Sequence, residues 1–248
     1  MAHPLDGAVA RIDRADFHIE ELTKLLETFR RSNQDALFSQ EQPTALQFRR
    51  QMTAISVSRN QDLLVPIPKD VSIIVGEVFY NLRAALDYLV YELARQDSGI
   101  RQDATQFIIE DVRSDPKEKS RGFEPRSKRS LRGLNPRHID QIESFQPYKG
   151  VAWTKMLRDI SNPDKHRELV VVRGSGSSTT VIRGSEGMMK SYSEKVLPGV
   201  GENGSNVYID PRYEVDITFP DGRLLLETLQ ILKRKVAETI DAFKPEFN

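Results

Sequence analysis

The most regular hydrophobic pattern of the chain covers residues 70–95, where apolar residues recur at steps of three and four positions. This spacing is typical of one face of an α-helix. The stripe consists of Val71, Val75, Val78, Leu82, Leu86, Leu89 and Leu93. The opposite side holds tyrosine, asparagine and alanine instead of the Lys/Glu surface of an exposed helix. We therefore predict a long central helix that contacts neighbours on more than one face.

Other segments have weaker patterns. Helical periodicity predicts helices at 5–33, 137–147, 151–161 and 223–243, and β-forming residues predict strands at 44–57, 107–109, 169–172, 178–182, 207–209 and 213–219. Clustered strands followed by a helix favour an α+β fold: a long central helix packed with other helices, plus a small mainly antiparallel sheet from the second half. We expect one domain over 1–248, with long loops at 98–137 and 184–205.

Composition narrows the classes of function. The 248 residues are 38% hydrophobic and 29% charged, with 36 basic and 36 acidic side chains, so no global field favours nucleic acid or membrane. The absence of cysteine excludes disulfides, thiolate metal sites and cysteine nucleophiles. No N-terminal signal pattern and no apolar run of about 18 residues is present. We expect a cytoplasmic protein with no membrane partner.

Sequence motifs for metal, cofactor or nucleophile chemistry are absent. The four histidines are scattered, with no HExxH pair, at His3, His18, His138 and His166. No G-x-S-x-G elbow occurs, and no Walker or Rossmann glycine pattern follows a strand. We expect no metal and no cofactor, and the sequence leaves open whether the chain is an enzyme.

The central helix contains the polar segment from Asn81 to Asp87. Arg83 and Asp87 are four residues apart, so on a helix they can form an ion pair. Asn81 lies about 160° away from Arg83 around the helix axis. We expect Asn81 and Arg83 to meet different neighbours.

Two stretches resemble motifs of a widespread bacterial family of unassigned function. The first is residues 76–89, Gly-Glu-Val-Phe-Tyr-Asn-Leu-Arg-Ala-Ala-Leu-Asp-Tyr-Leu, which is similar to the pattern G-x-x-x-x-N-L-R-S-A-L-D-H-L. The second is Gln-Pro-Tyr at 146–148, followed by Asn-Pro-Asp-Lys-His-Arg at 162–167. The resemblance implies a cytoplasmic bacterial protein. Tyr88 stands where the pattern has histidine, so no role can depend on a histidine in that helix.

The segment 162–167 is a second candidate for the site. Its polar side chains Asp164, Lys165, His166 and Arg167 lie at a predicted helix-to-strand junction, a common place for functional groups. We hypothesise that this junction packs on the central helix, where Asp87 would contact His166 and favour its protonated form. The candidate binding residues are Asn81, Arg83, Asp87, Asp164, Lys165 and His166. Alternatively, the same residues form a structural network that holds two helices together.

Residues 113–132 form a basic segment with eight basic and three acidic side chains, a local charge of +5. Its glycine, prolines and serines predict a loop. Candidate phosphate contacts are Lys117, Lys119, Arg126, Lys128, Arg129 and Arg132. Only Phe123 offers a ring for base stacking, so nucleic-acid binding competes with a simple solvated loop.

Three functions remain open. We expect a non-catalytic binding or interaction protein with a polar pocket at the central helix and an unknown ligand or protein partner. The alternative is a metal-independent ribonuclease resembling the all-helical HEPN superfamily of bacterial defence, with His166, Arg158 and Arg167 as catalytic candidates. Seven residues separate Arg158 from His166, whereas that superfamily has four to six. A structural oligomer, such as a homodimer through helices 5–33 and 223–243, is the third.

Overall fold

The computed structural model describes residues 3–40, 55–61, 66–164, 173–183, 197–200 and 206–247, with side chains described for 3–33, 66–161, 174 and 215–247. Its helices are α1 (Asp6–Gln40), α2 (Lys69–Ser98), α3 (Phe123–Ser130), α4 (Pro136–Ser144), α5 (Ala152–Asp164) and α6 (Leu225–Phe243). Short 3-10 turns cover Pro147–Lys149 and Lys244–Phe247. The predicted helical core is confirmed.

Contacts divide the chain into two compact units. The first, helical unit comprises Met1–Thr23, Lys69–Val171 and Leu225–Asn248; the second comprises Lys24–Pro68 and Val172–Leu224. The single domain over 1–248 stays a prediction.

Helix α2 is the core of the first unit. Every residue of its predicted apolar stripe is fully buried, from Val71 to Leu93. Helices α5 and α6 both contact it, so α2 meets neighbours on more than one face, as predicted. Gly99 follows its last residue with a φ of 70°, a left-handed conformation that glycine adopts without a side-chain clash and that ends helices.

Helix α1 approaches α2 closely at a glycine. A Cβ atom on Gly7 would lie 2.9 Å from Cδ1 of Tyr88, so only glycine allows this approach without a shift of the ring. One turn later, the guanidinium of Arg11 lies 5.7 Å from the ring centre of Tyr80 and 5.6 Å from that of Tyr88. Such cation–π contacts join the two helices.

The second unit contains strands β1 (Ile55–Gln61), β2 (Arg173–Arg183), β3 (Leu197–Val200) and β4 (Asn206–Thr218). They pair antiparallel in the order β1-β2-β4-β3. Since β1 precedes α2, the sheet is not built from the second half alone, contrary to the prediction; residues 55–57 of β1 belong to the strand predicted at 44–57. The predicted strand at 169–172 and residues 44–54 of another lie outside the described residues.

The predicted loops need two corrections. Helix α3 lies inside 98–137; Pro125 is its third residue, where an amide hydrogen has no helical partner, so the proline costs no hydrogen bond. Strand β3 lies inside 184–205, the rest of which is outside the described residues.

The strand expected at 107–109 is wrong. Its residues are buried, but their backbone bonds to side chains of α2 and of Gln146 instead of a second strand.

Candidate functional site

The candidate site is built around residues 107–111, which we call the clamped segment. Its first residue, Phe107, bonds to α2 through both backbone groups. The N–H of Phe107 donates to Oδ1 of Asp87 at 2.8 Å, and Nη2 of Arg83 donates to the carbonyl of Phe107 at 3.4 Å. Asp87 and Arg83 of α2 therefore form hydrogen bonds with both backbone groups of the buried Phe107.

Gln146 holds the next part of the clamped segment. Its side chain is fully buried. Its Nε2 donates to the carbonyl of Ile108 at 2.9 Å, and its Oε1 accepts from the N–H of Glu110 at 2.8 Å. An amide side chain has both donors and acceptors, which matches an extended backbone. Gln146 thus replaces the strand neighbour that the segment lacks.

Two further arginines bind the acidic end of the clamped segment. Arg126 of α3 pairs with Glu110. Arg158 of α5 pairs with Asp111, with 2.9 Å between Nη2 and Oδ2, and also with Asp159 at 2.7 Å. Three guanidinium groups from three helices thus converge on five consecutive residues.

The central arginine, Arg83, lies in an unusual electrostatic environment. It is only 6% exposed. Burial lowers the pKa of Arg83, the carboxylate of Asp87 acts against this, and the charges of Arg126 and Arg158 lower it further. Its Nε and Nη1 atoms are buried and have no hydrogen-bond partner among the described residues. Most buried donors in proteins are paired, so these two atoms call for an acceptor.

The pKa of Arg158 is shifted in the opposite direction from that of Arg83. Burial alone would lower the pKa of Arg158, but its bonds to Asp159 and Asp111 raise it. Burial would likewise raise the pKa of Asp111, yet the hydrogen bond and charge of Arg158, with those of Lys155, lower it. Arg158 and Asp111 are therefore both charged and form an ion pair with each other.

Asn81 does not belong to this cluster. It is buried, and its Oδ1 accepts from Nη1 of Arg11 on α1 at 3.3 Å, while its Nδ2 donates to the carbonyl of Glu77 at 2.8 Å. Asn81 and Arg83 meet different neighbours, as their spacing predicts.

The predicted junction at 164–167 falls largely outside the described residues. Asp164 is the last residue of α5, and its side chain is not described; Lys165, His166 and Arg167 lie outside. The expected contact between Asp87 and His166 stays a prediction.

All six basic candidates are exposed, and one of them, Arg126, also pairs with Glu110. The other five are Lys117, Lys119, Lys128, Arg129 and Arg132. Phe123 is 2% exposed and its ring contacts Tyr148, so the expectation that it offers a face for base stacking is wrong. The reason is that Phe123 anchors the start of α3 in the core.

A buried cluster surrounds His138, which the sequence patterns do not predict. Nδ1 of His138 lies 2.7 Å from Oδ2 of Asp97, at the end of α2, and Nε2 lies 3.4 Å from Oε2 of Glu246. Asn135 caps α4 by accepting from the His138 N–H and donates to Asp97. The Asn-Pro pair before α4 signals that cap, but nothing local signals Asp97 or Glu246. The cluster joins three elements of the helical unit.

Among the described residues, no group of three histidine, aspartate or glutamate side chains could hold a metal ion. None of the described helices combines the length and apolar character needed to span a membrane.

No protein family, curated protein or solved structure matches this chain.

Proposed function

We propose that this chain is a non-catalytic binding protein whose ligand is recognised at α2 by Arg83. The observation behind the proposal is the pair of buried donors, Nε and Nη1, that have no acceptor among the described residues. Leaving a buried donor unpaired costs about 1–3 kcal/mol, and more for a charged group. A ligand acceptor would recover this energy, which makes the two donors suited to recognition.

The competing interpretation is a structural network. A buried cation that stabilises the fold through its partners is expensive to remove, typically about 3–5 kcal/mol. Arg83 has one long hydrogen bond, at 3.4 Å, and two donors without a described partner. This poor pairing supports a binding role over a purely structural one.

The two interpretations differ in what Arg83→Met does. The side chains are similar in length, and methionine removes the charge and the unpaired donors. We expect the free energy of unfolding to change by less than about 1 kcal/mol, because the lost bond and the lost attraction to Asp87 are offset by the relief of desolvation. A loss of about 3 kcal/mol or more would support the structural network.

The binding role is tested on the purified full chain. Small molecules released by heat denaturation are identified by mass spectrometry for wild type, Arg83→Met and Arg95→Met. Arg95 is the matched control because it lies on α2 and is exposed. We expect a compound released from wild type and Arg95→Met but not from Arg83→Met. Equal release from all three, or from none, would contradict the proposal.

Several further expectations stay proposals. The chain is an α+β protein, and the antiparallel pairing of β2 with β4 supports this class. It belongs to the cytoplasmic bacterial family that its two motifs resemble. Nucleic-acid binding through the exposed basic side chains of 113–132, the homodimer, and the ribonuclease with His166 are retained as alternatives, and incubation with total RNA tests the last.

A further inference from the structure

We propose that Arg83, Arg126 and Arg158 form a receptor for a phosphate group, and that Glu110 and Asp111 occupy it in the ligand-free chain. This rests on the proposed binding function and names the chemical class of the ligand.

The three arginines converge on the clamped segment. Arg83 donates to the carbonyl of Phe107, Arg126 pairs with Glu110, and Arg158 pairs with Asp111. Guanidinium groups bind phosphate through paired, parallel hydrogen bonds, which makes arginine the preferred residue for such ligands. Three of them around one short segment can surround a small tetrahedral anion.

The receptor has a net positive charge once its two internal carboxylates are left out. Three guanidinium groups bring three positive charges, and Asp87 brings one negative charge beside Arg83. Lys155 and Asp159 form a neighbouring pair, 3.7 Å apart, that cancels. If Glu110 and Asp111 move away, two positive charges remain uncompensated. A phosphate group with about −1.5 to −2 charge near neutral pH matches them.

The internal carboxylates can be displaced. One side chain of each ion pair is exposed, Arg126 to 45% and Asp111 to 44%, while their partners Glu110 and Arg158 are 12% and 16% exposed. Both pairs are therefore partly solvated, and solvation weakens the attraction that a competing anion must overcome. Arg83, whose charge interacts with those of Arg126 and Arg158, has two buried donors without a described acceptor. A phosphate would replace two carboxylates and also satisfy these donors.

If Glu110 and Asp111 compete with phosphate for the arginines, removing either negative charge should tighten phosphate binding. Glu110→Gln and Asp111→Asn remove the competing charges and keep the side-chain shape. The matched control is Glu118→Gln, which removes an exposed carboxylate from the same loop; the only described side-chain partner of Glu118 is Ser120. Titration calorimetry at low ionic strength measures each variant with two probes, inorganic phosphate and adenosine 5′-monophosphate. The two probes separate a site for free phosphate from one for a phosphomonoester.

We expect Glu110→Gln and Asp111→Asn each to tighten binding of one probe by roughly three- to tenfold, while Glu118→Gln leaves it unchanged. Adding Arg83→Met to Glu110→Gln should abolish the gain. Binding should weaken from about pH 7.5 to about pH 5.5, where phosphate loses its second charge, whereas sulfate binding should not change. Circular dichroism checks that each variant is folded.

Unchanged or weaker binding in both charge-removal variants would overturn the phosphate receptor, as would a gain that survives Arg83→Met. The two proposals fail separately. If no phosphate probe binds but a compound is released in an Arg83-dependent manner, the ligand class is wrong and the binding function stands. If phosphate binds independently of Arg83 and nothing Arg83-dependent is released, both are wrong.

Discussion

The carboxylate of Asp87 accepts a 2.8 Å hydrogen bond from the backbone N–H of Phe107, a residue far along the chain. This bond ties the clamped segment to the middle of α2, one helical turn from Arg83. A buried backbone needs partners for its polar groups, and these helix side chains supply them without a neighbouring strand.

We expect the negative charge of Asp87 to contribute more to the free energy of unfolding than its hydrogen bond to Phe107 does. In Asp87→Asn the amide oxygen still accepts from Phe107, but buried Arg83 loses its countercharge. We expect urea denaturation to show a loss of about 3 kcal/mol, and Arg83→Met in the same chain to restore most of it. The control Glu77→Gln, exposed on the same helix, should change stability by less than about 0.5 kcal/mol. Additive effects of the two substitutions would contradict the coupling.

We expect the hydrogen bonds of Gln146 to the clamped segment to stabilise the fold. Gln146→Leu leaves the carbonyl of Ile108 and the N–H of Glu110 buried without partners. We expect a loss of about 2–4 kcal/mol in the free energy of unfolding, measured in urea. Ser144→Ala, at the exposed end of the preceding helix, is the control. If both substitutions cost the same, the bonds of Gln146 contribute little.

Asp111 should make the stability depend on pH in acid. Its pKa in the folded chain is lowered below the usual 3.8, so the unfolded chain binds more protons there. Its stabilising contribution is present above that value and is lost as the pH falls through the folded pKa. Thermal melts of Asp111→Asn should therefore decline less steeply below pH 3.8 than those of wild type. Asp103→Asn, whose aspartate side chain is 89% exposed, should follow wild type.

We expect the ring of Tyr88 to exclude a larger side chain at position 7. Gly7→Val places methyl groups against the tyrosine ring, and we expect a loss of about 1–3 kcal/mol in chemical denaturation. In a Tyr88→Ala chain the same substitution should cost under about 0.5 kcal/mol, because the ring is gone. Ala10→Val, on the exposed side of α1, controls for the helix propensity of valine. An equal cost with and without the ring would show that α1 and α2 do not meet here.

Local patterns of the sequence predicted the helices well. The apolar stripes identified α1, α2 and α6, because a helix that buries one face repeats its apolar residues at the helical period. The same reasoning placed Asn81 and Arg83 against different neighbours. It did not predict α3, whose polar and proline-containing sequence has no such stripe and which is anchored at Phe123.

The sequence by itself determined which apolar residues of α2 face the core and that the helix contains a polar segment from Asn81 to Asp87. Only the tertiary structure decided what that polar segment meets. The contacts of Arg83 and Asp87 with Phe107, and those of Arg126 and Arg158 with Glu110 and Asp111, join residues up to 47 positions apart. Hydrophobic periodicity reports burial within one element, whereas hydrogen bonds between distant segments depend on how the elements pack.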